Sequence, residues 1–225
     1  MRTTTLLLTA AATLVMVAGC IVSDQITTIT VQPDGSADWV KFQSNIHSTE
    51  KGAKGANELK RFVEEFDTHK DSDYLHITES GGEVIEARWV RREEPYANLM
   101  TARFSNWTAL QDFATFKNEK GEVIAQAQFT QNGNRRKLSL VIPLPKDEKS
   151  PEQAKPTMGQ LRQEQANGIS ETRVVVAGGR LIASQGFTVA SDQRSALLDP
   201  AKLQELVESG PDQVELFLEW EPLSD

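Results

Sequence analysis

Apolar residues recur at every second position over short runs in this chain, and turn residues separate the runs. The last run shows the pattern in full: from Gln213 to Glu221, Val214, Leu216, Leu218 and Trp220 alternate with Glu215 and Glu219. A period of two places such side chains on one side of a pleated strand. Two connections carry specific turn chemistry. Gln32-Pro33-Asp34-Gly35 joins the run from Gln25 to the one ending at Ile46, with Pro33 fixing φ at the first corner and Gly35 tolerating positive φ. Gln131-Asn132-Gly133-Asn134 joins Glu122 to Thr130 with Arg135 to Leu144, an Asn-Gly hairpin signal. The segments Tyr74 to Thr78, Val84 to Arg91, Asn98 to Phe104, Thr172 to Ala177 and Arg180 to Ala190 also read as strands. Strands joined by tight turns must pair antiparallel, which excludes the alternating strand-helix order of a parallel sheet.

Helices interrupt this rhythm only locally. Between Asn57 and Thr68, Leu59, Phe62, Val63 and Phe66 stand at i, i+3, i+4 and i+7, a stripe that faces a core. A short capped helix is predicted over Ser105 to Phe113, with Trp107, Leu110 and Phe113 inward. Asp199 caps a third, with Pro200 in its first turn, Leu203, Leu206 and Val207 inside, and Gly210-Pro211 as its stop. The predicted fold is therefore α+β: a mainly antiparallel β-sheet built of hairpins, with two or three helices packed on one face. One domain is expected over residues 26–225. It is broken by a polar excursion at about 145–170, KDEKSPEQAKPTMGQLRQEQANGIS, too poor in apolar residues to fix a helix against a core.

The first twenty residues carry a different message. In MRTTTLLLTAAATLVMVAGC, Arg2 precedes an apolar run from about Leu6 to Val17, and small residues lead to Cys20. That order is a secretory leader, and the run is too short to favour the alternative of an uncleaved membrane anchor. Val17-Ala18-Gly19-Cys20 resembles the bacterial lipobox, which implies a signal peptide over residues 1–19, cleavage before Cys20 and acylation of that cysteine. Cys20 is the single cysteine of the chain, so once acylated it leaves no thiol for disulfide, redox or nucleophilic chemistry. Ile21 follows it in place of the aspartate associated with inner-membrane retention, so an envelope with two membranes would place the protein on the outer membrane, facing the periplasm. Residues 20–25 are expected to form a tether reaching only ~17 Å, holding the domain close to the bilayer.

Charge narrows the partners. With 24 Lys+Arg against 32 Asp+Glu the chain has a formal charge of −8, and losing Arg2 with the leader leaves 23 basic residues. Such a surface excludes nucleic acid and is not drawn to anionic lipid, so acyl chains must supply the membrane attachment. The strongest metal candidate is His69, Asp71, Asp73 and His76, two imidazoles and two carboxylates within eight residues. Their spacing fits neither a helical i, i+4 pair nor a calcium loop, and a solvated connection with an aspartate in a turn is the competing reading. Glu64/Glu65 and Glu93/Glu94 are adjacent pairs that do not converge on one substrate atom. No Gly-x-Ser-x-Gly elbow surrounds Ser184, and Gly81-Gly82 and Gly178-Gly179 are turns, not phosphate cradles. Arg135-Arg136-Lys137 reads as the polar start of a strand. No catalytic constellation and no cofactor is expected.

Three phrases resemble LppM-type bacterial lipoproteins: a lipobox followed by an extended run into Thr30-Val31-Gln32-Pro33-Asp34-Gly35-Ser36, the strand-turn-strand from Val174 through Gly178-Gly179 to Gly186, and a closing strand ending in Trp220. The chain departs from that pattern at Ala177, where a proline-glycine turn would be expected, and in the 145–170 excursion. The resemblance implies an extracytoplasmic α+β lipoprotein domain without an established catalytic centre, and it carries over no functional residue beyond Cys20. The expected function is a lipid-anchored, non-enzymatic envelope module that binds an envelope protein or a ligand near the membrane. The alternative is a lipid-binding or carrier domain, its aromatic residues enclosing an apolar cavity instead of simply packing. A metal-dependent hydrolase using His69, Asp71, Asp73 and His76 is a third reading.

Overall fold

The computed structural model describes residues 21–117, 121, 123–144, 170–209 and 212–223. Val17, Ala18, Gly19, Cys20, most of the polar excursion and the Gly210-Pro211 stop lie outside the described residues. Twelve strands and four helices are present among those described. The first sheet contains β1 (Ile21–Val31), β2 (Ala37–Ser48), β3 (Glu83–Arg91), β4 (Tyr96–Phe104), β8 (Ser170–Val176), β10 (Phe187–Val189) and β11 (Ser195–Leu198), in the order β10-β11-β8-β1-β2-β4-β3. The second contains β5 (Phe116–Lys117), β6 (Val123–Asn132), β7 (Arg135–Pro143), β9 (Gly179–Gln185) and β12 (Gln213–Pro222), in the order β5-β6-β7-β12-β9. All pairings are antiparallel except β1 with β8. The mainly antiparallel α+β class expected from the hairpins is the one found.

The helices are α1 (Gly52–Asp67), α2 (Ser72–Glu79), α3 (Trp107–Phe113) and α4 (Pro200–Glu208). Two of the expected caps are made: the Asn106 side chain accepts from Ala109 N, and Asp199 accepts from Ala201 N and Lys202 N. Three expectations are corrected. Tyr74 to Thr78 is helix α2 and not a strand, because Asp71 caps it through Tyr74 N and only Ile77 of the segment is fully buried while Leu75 is exposed. Strand β1 starts at Ile21, where a tether was expected, and Ile21 is already opposite Ser48. The run Arg180 to Ala190 breaks at Gly186, so that β9 joins the second sheet while β10 returns to the first.

The inner face of the first sheet is covered in two halves. Over β2 and β4, a cluster of Trp39, Met100 and Phe104 packs with Phe66 of α1, Ile77 of α2 and Leu110 of α3. Over β1 and β8, Val31, Val174 and Val176 meet Leu181, Leu218 and Trp220 of the second sheet. Leu203 of α4 closes the far part of the second sheet against Ala125, Ile142, Val214 and Leu216. The alternation read in the last strand is realised: Val214, Leu216, Leu218 and Trp220 are each at most 2% exposed.

Gly186 is the corner at which the chain crosses from one sheet to the other. Its φ is +80°, and a Cβ there would overlap Leu216 Cδ2. Gly186→Ala should therefore lower stability by about 2 kcal/mol or more through combined backbone strain and overpacking, read as a lower urea midpoint with unchanged slope.

Candidate functional site

The two sheets do not close fully on each other, and between them lies a cavity of about 170 Å³. Its walls come from four sources: Thr27, Ile29 and Trp39 of the first sheet, Leu138, Leu140, Leu216 and Leu218 of the second, Phe113 at the end of α3, and Phe187 with Leu198 beside α4. Phe113 is held there by an edge contact to Trp39 at 5.7 Å and a tilted contact to Phe104 at 4.8 Å between ring centroids. The other end of α3 is fixed by Trp107, which lies flat on Phe129 of β6, centroids 3.6 Å apart. One short helix thus ties both sheets together and forms one end of the opening.

Polarity changes along the strands in cross-strand rows. Val176, Val31, Ala37 and Phe104 are neighbours across β8, β1, β2 and β4. The next inward-facing row is Val174, Ile29, Trp39 and Ala102, then Thr172, Thr27, Lys41 and Met100, and last Ser170, Gln25, Gln43 and Asn98. The inner face therefore passes from wholly apolar at the Val31 end to wholly polar near the start of β1. The cavity spans the second and third of these rows.

At the polar end sits Lys41, only 8% exposed, its Nζ donating to Asp73 Oδ2 at 2.6 Å. Burial of a lysine among apolar residues is tolerated only with such a partner. Asp71 stands two residues before Asp73. Its Oδ1 accepts from Tyr74 N at 3.0 Å, and its buried Oδ2 has no partner among the described residues. Burial raises the Asp71 carboxyl from the usual 3.8 to about 6, opposed by the Tyr74 hydrogen bond and reinforced by the charge of Asp73. His76 lies one turn further along α2. Its Nε2 is 2.7 Å from the Phe113 carbonyl, so Nε2 carries the proton and donates.

The four residues singled out as a metal candidate are thus each engaged elsewhere and converge on no common point. His69 stacks on Tyr74, Asp71 caps α2, Asp73 pairs with Lys41, and His76 bonds Phe113. Among the described residues no group of three His, Cys, Asp or Glu side chains is placed to hold a metal ion. Two of the four, Asp73 and His76, do line one site, but as the polar rim of an apolar cavity. The basic run is also accounted for: Arg135 faces Glu219 and Glu221, Arg136 donates to the Pro33 carbonyl and Lys137 to Glu215.

Sequence reasoning missed Lys41 and Gln25. The available signal was their phase: Lys41 shares the inward register of Ala37 and Trp39, and Gln25 that of Ile29 and Val31. A polar residue in a core phase is the mark of a site.

No family model matches the chain, and no curated protein matches it. Among solved structures, the NMR structure of the folded domain of LppM from Mycobacterium tuberculosis is similar over 94% of this chain and 95% of that one, at 11% identity and a TM-score of 0.42. No helix among the described residues is long and apolar enough to cross a membrane.

The raised Asp71 carboxyl makes stability depend on pH. The folded state binds the proton more tightly than the unfolded chain, so the group's contribution is fully present below about pH 4 and is lost as the pH rises through about 6. Asp71→Asn keeps a side-chain cap but cannot ionise. Its advantage over the parent in urea unfolding should be near zero at pH 4 and grow to at most about 3 kcal/mol by pH 8. A difference that stays constant with pH would contradict the assignment.

Proposed function

We propose that this protein is a non-enzymatic envelope lipoprotein, held at the membrane through acyl chains on Cys20, whose domain binds one apolar chain in the cavity between its sheets. The observation that carries this reading is the cavity itself. Close-packed interiors leave few voids larger than a water molecule, whereas this one measures about 170 Å³ and is walled largely by aliphatic and aromatic side chains. A ligand that fills it gains by burying its own chain, about 0.8 kcal/mol per CH₂. An apolar cavity of about 150 Å³ takes up benzene, so the occupant is a chain end of roughly six to eight carbons and not a whole long-chain lipid.

The attachment fits such a role. Ile21 is paired with Ser48 at the first position of β1, so an acylated Cys20 would hold the sheet directly against the bilayer. Two or three chains hold where a single one is marginal. The Ile21 after the acylated residue favours the outer membrane in an envelope with two membranes. A second reading, docking of an envelope protein, has its own observation: on the outer face of the first sheet, Ile26 is 45% exposed and lies in register with Phe42 and Leu99.

Trp39 lines the cavity and is 4% exposed, which makes it a reporter. An octyl probe carrying a bromine or a spin label should quench tryptophan fluorescence saturably, and Trp39→Phe should remove most of that quenching. Ala127→Leu, which fills the void, should abolish it without lowering the melting temperature. Equal quenching in all three proteins would sink the cavity reading. For the anchor, Cys20→Ser should move the protein from the membrane fraction to the soluble one, and unchanged fractionation would refute acylation.

A further inference from the structure

Building on the lipid-binding reading, we propose that the cavity selects an uncharged amphiphile: its chain lies among Trp39, Phe113 and Leu216, and a hydroxyl or amide head meets Lys41, Asp73 and the Gln25–Gln43–Asn98 row. Carboxylate and phosphate heads are rejected.

Charge around the polar end is the first argument. Among the described residues Lys41 is the only lysine or arginine in the cavity wall, and its Nζ already faces Asp73 Oδ2 at 2.6 Å. Asp71 is a second carboxylate close enough to feel both of them. With both aspartates ionised the three groups carry one net negative charge. His76, the remaining titratable group of the wall, spends its Nε2 proton on the Phe113 carbonyl. An incoming anion would therefore find no uncompensated cation among the described residues of the wall and would meet the Asp73 carboxylate, with Asp71 adding to the repulsion from outside the wall.

Unmet hydrogen bonds are the second argument, and they are independent of charge. Gln25 is 6% exposed and Asn98 1%, yet Gln25 Oε1 and Asn98 Nδ2 have no partner among the described residues. They occupy one cross-strand row with Gln43 between them. Ser23 Oγ accepts from the Nε2 of both Gln25 and Gln43, so the donors of the two glutamines are engaged while an acceptor and a donor stay open on either side. Buried polar atoms are nearly always paired. A carboxylate only accepts and could serve Asn98 alone, whereas a hydroxyl or amide both donates and accepts. This row is the neighbour of the Thr27–Lys41 row that lines the cavity, about 7 Å further along the strands, within reach of a glycerol-sized head.

The test uses the full chain bearing Cys20→Ser, so that no acyl group of its own competes. Four ligands of equal chain length, monooctanoylglycerol, 1-octanol, octanoate and octyl phosphate, are measured by displacement of the quenching probe from Trp39. The two neutral ligands should bind at least about tenfold more tightly than the two anions. Asp73→Asn frees the Lys41 charge and should bring octanoate to within about threefold of 1-octanol; Asp71→Asn should shift the ratio the same way and serves if the first variant does not fold. Gln25→Leu should weaken monooctanoylglycerol and leave 1-octanol nearly unchanged. Displacement by octanoate as strong as by the neutral ligands, or an Asp73→Asn ratio equal to the parent's, would overturn the selectivity while the cavity reading stands. Failure of the probe itself to quench Trp39 would overturn both.

Discussion

Everything in this domain depends on a mismatch of widths. Seven strands make the first sheet and five the second, so the larger inner face cannot be covered by the smaller. Helices α1, α2 and α3 take the uncovered half, and α3 must therefore stand at the seam. It can do so because its two ends are aromatic. Trp107 reaches the second sheet through Phe129 and lies 5.9 Å from Trp220, while Phe113 reaches the first through Trp39. Rings that large cannot interdigitate perfectly with both neighbours at once. The unfilled volume beside Phe113 is the cavity.

That seam also explains how the polar end is kept in place. Helix α2 is only eight residues long, too short to be stable by propensity alone. Contacts at successive positions fix it: Asp71 at the cap, Asp73 to Lys41, His76 to the Phe113 carbonyl and Ile77 in the core. Three of these four involve ionisable groups. The wall of the cavity is thus tuned electrostatically, whereas the opposite wall, made by β7 and β12, is fixed by packing.

Much of the fold was legible because hairpins and caps are local. The Asn132-Gly133 and Pro33-Asp34-Gly35 turns, the Asn106 and Asp199 caps and the alternation ending in Trp220 need only neighbours in sequence to act. What failed was decided at a distance. Tyr74 to Thr78 alternates like a strand, and only its Asp71 cap and the burial of Ile77 alone make it a helix. Helix α1 starts at Gly52, five residues before the Asn57 expected, since its opening turns hold Gly52 and Gly55, poor helix formers that tertiary contacts override. Strand β11 has four residues and exists through its pairing with β8 and β10. The site was half visible for the same reason. Asp71, Asp73 and His76 drew notice as chemistry-bearing residues, but their partners Lys41 and Phe113 lie 32 and 37 residues away along the chain. Without those partners, the four residues read as a solvated connection with an aspartate in a turn, and as metal ligands only in a weaker reading.

The energetics tie this site to the stability of the domain. A carboxyl held up near 6 is worth at most about 3 kcal/mol against the folded state at neutral pH, and next to it the two sheets leave about 170 Å³ unfilled. A domain of ordinary net stability has only about 5 to 15 kcal/mol in hand, so the carboxyl alone takes a sizeable share of it. The position of carboxyl and cavity is not random: both lie where the inner face turns from apolar to polar, near Gln25 Oε1 and Asn98 Nδ2, buried atoms without a partner among the described residues. Defects gathered at one place can be relieved by one molecule. A ligand at a hundred times its dissociation constant adds about 2.7 kcal/mol, close to the penalty of the raised carboxyl. A domain that binds as proposed would be most stable when occupied, so occupancy and stability would report on the same set of contacts.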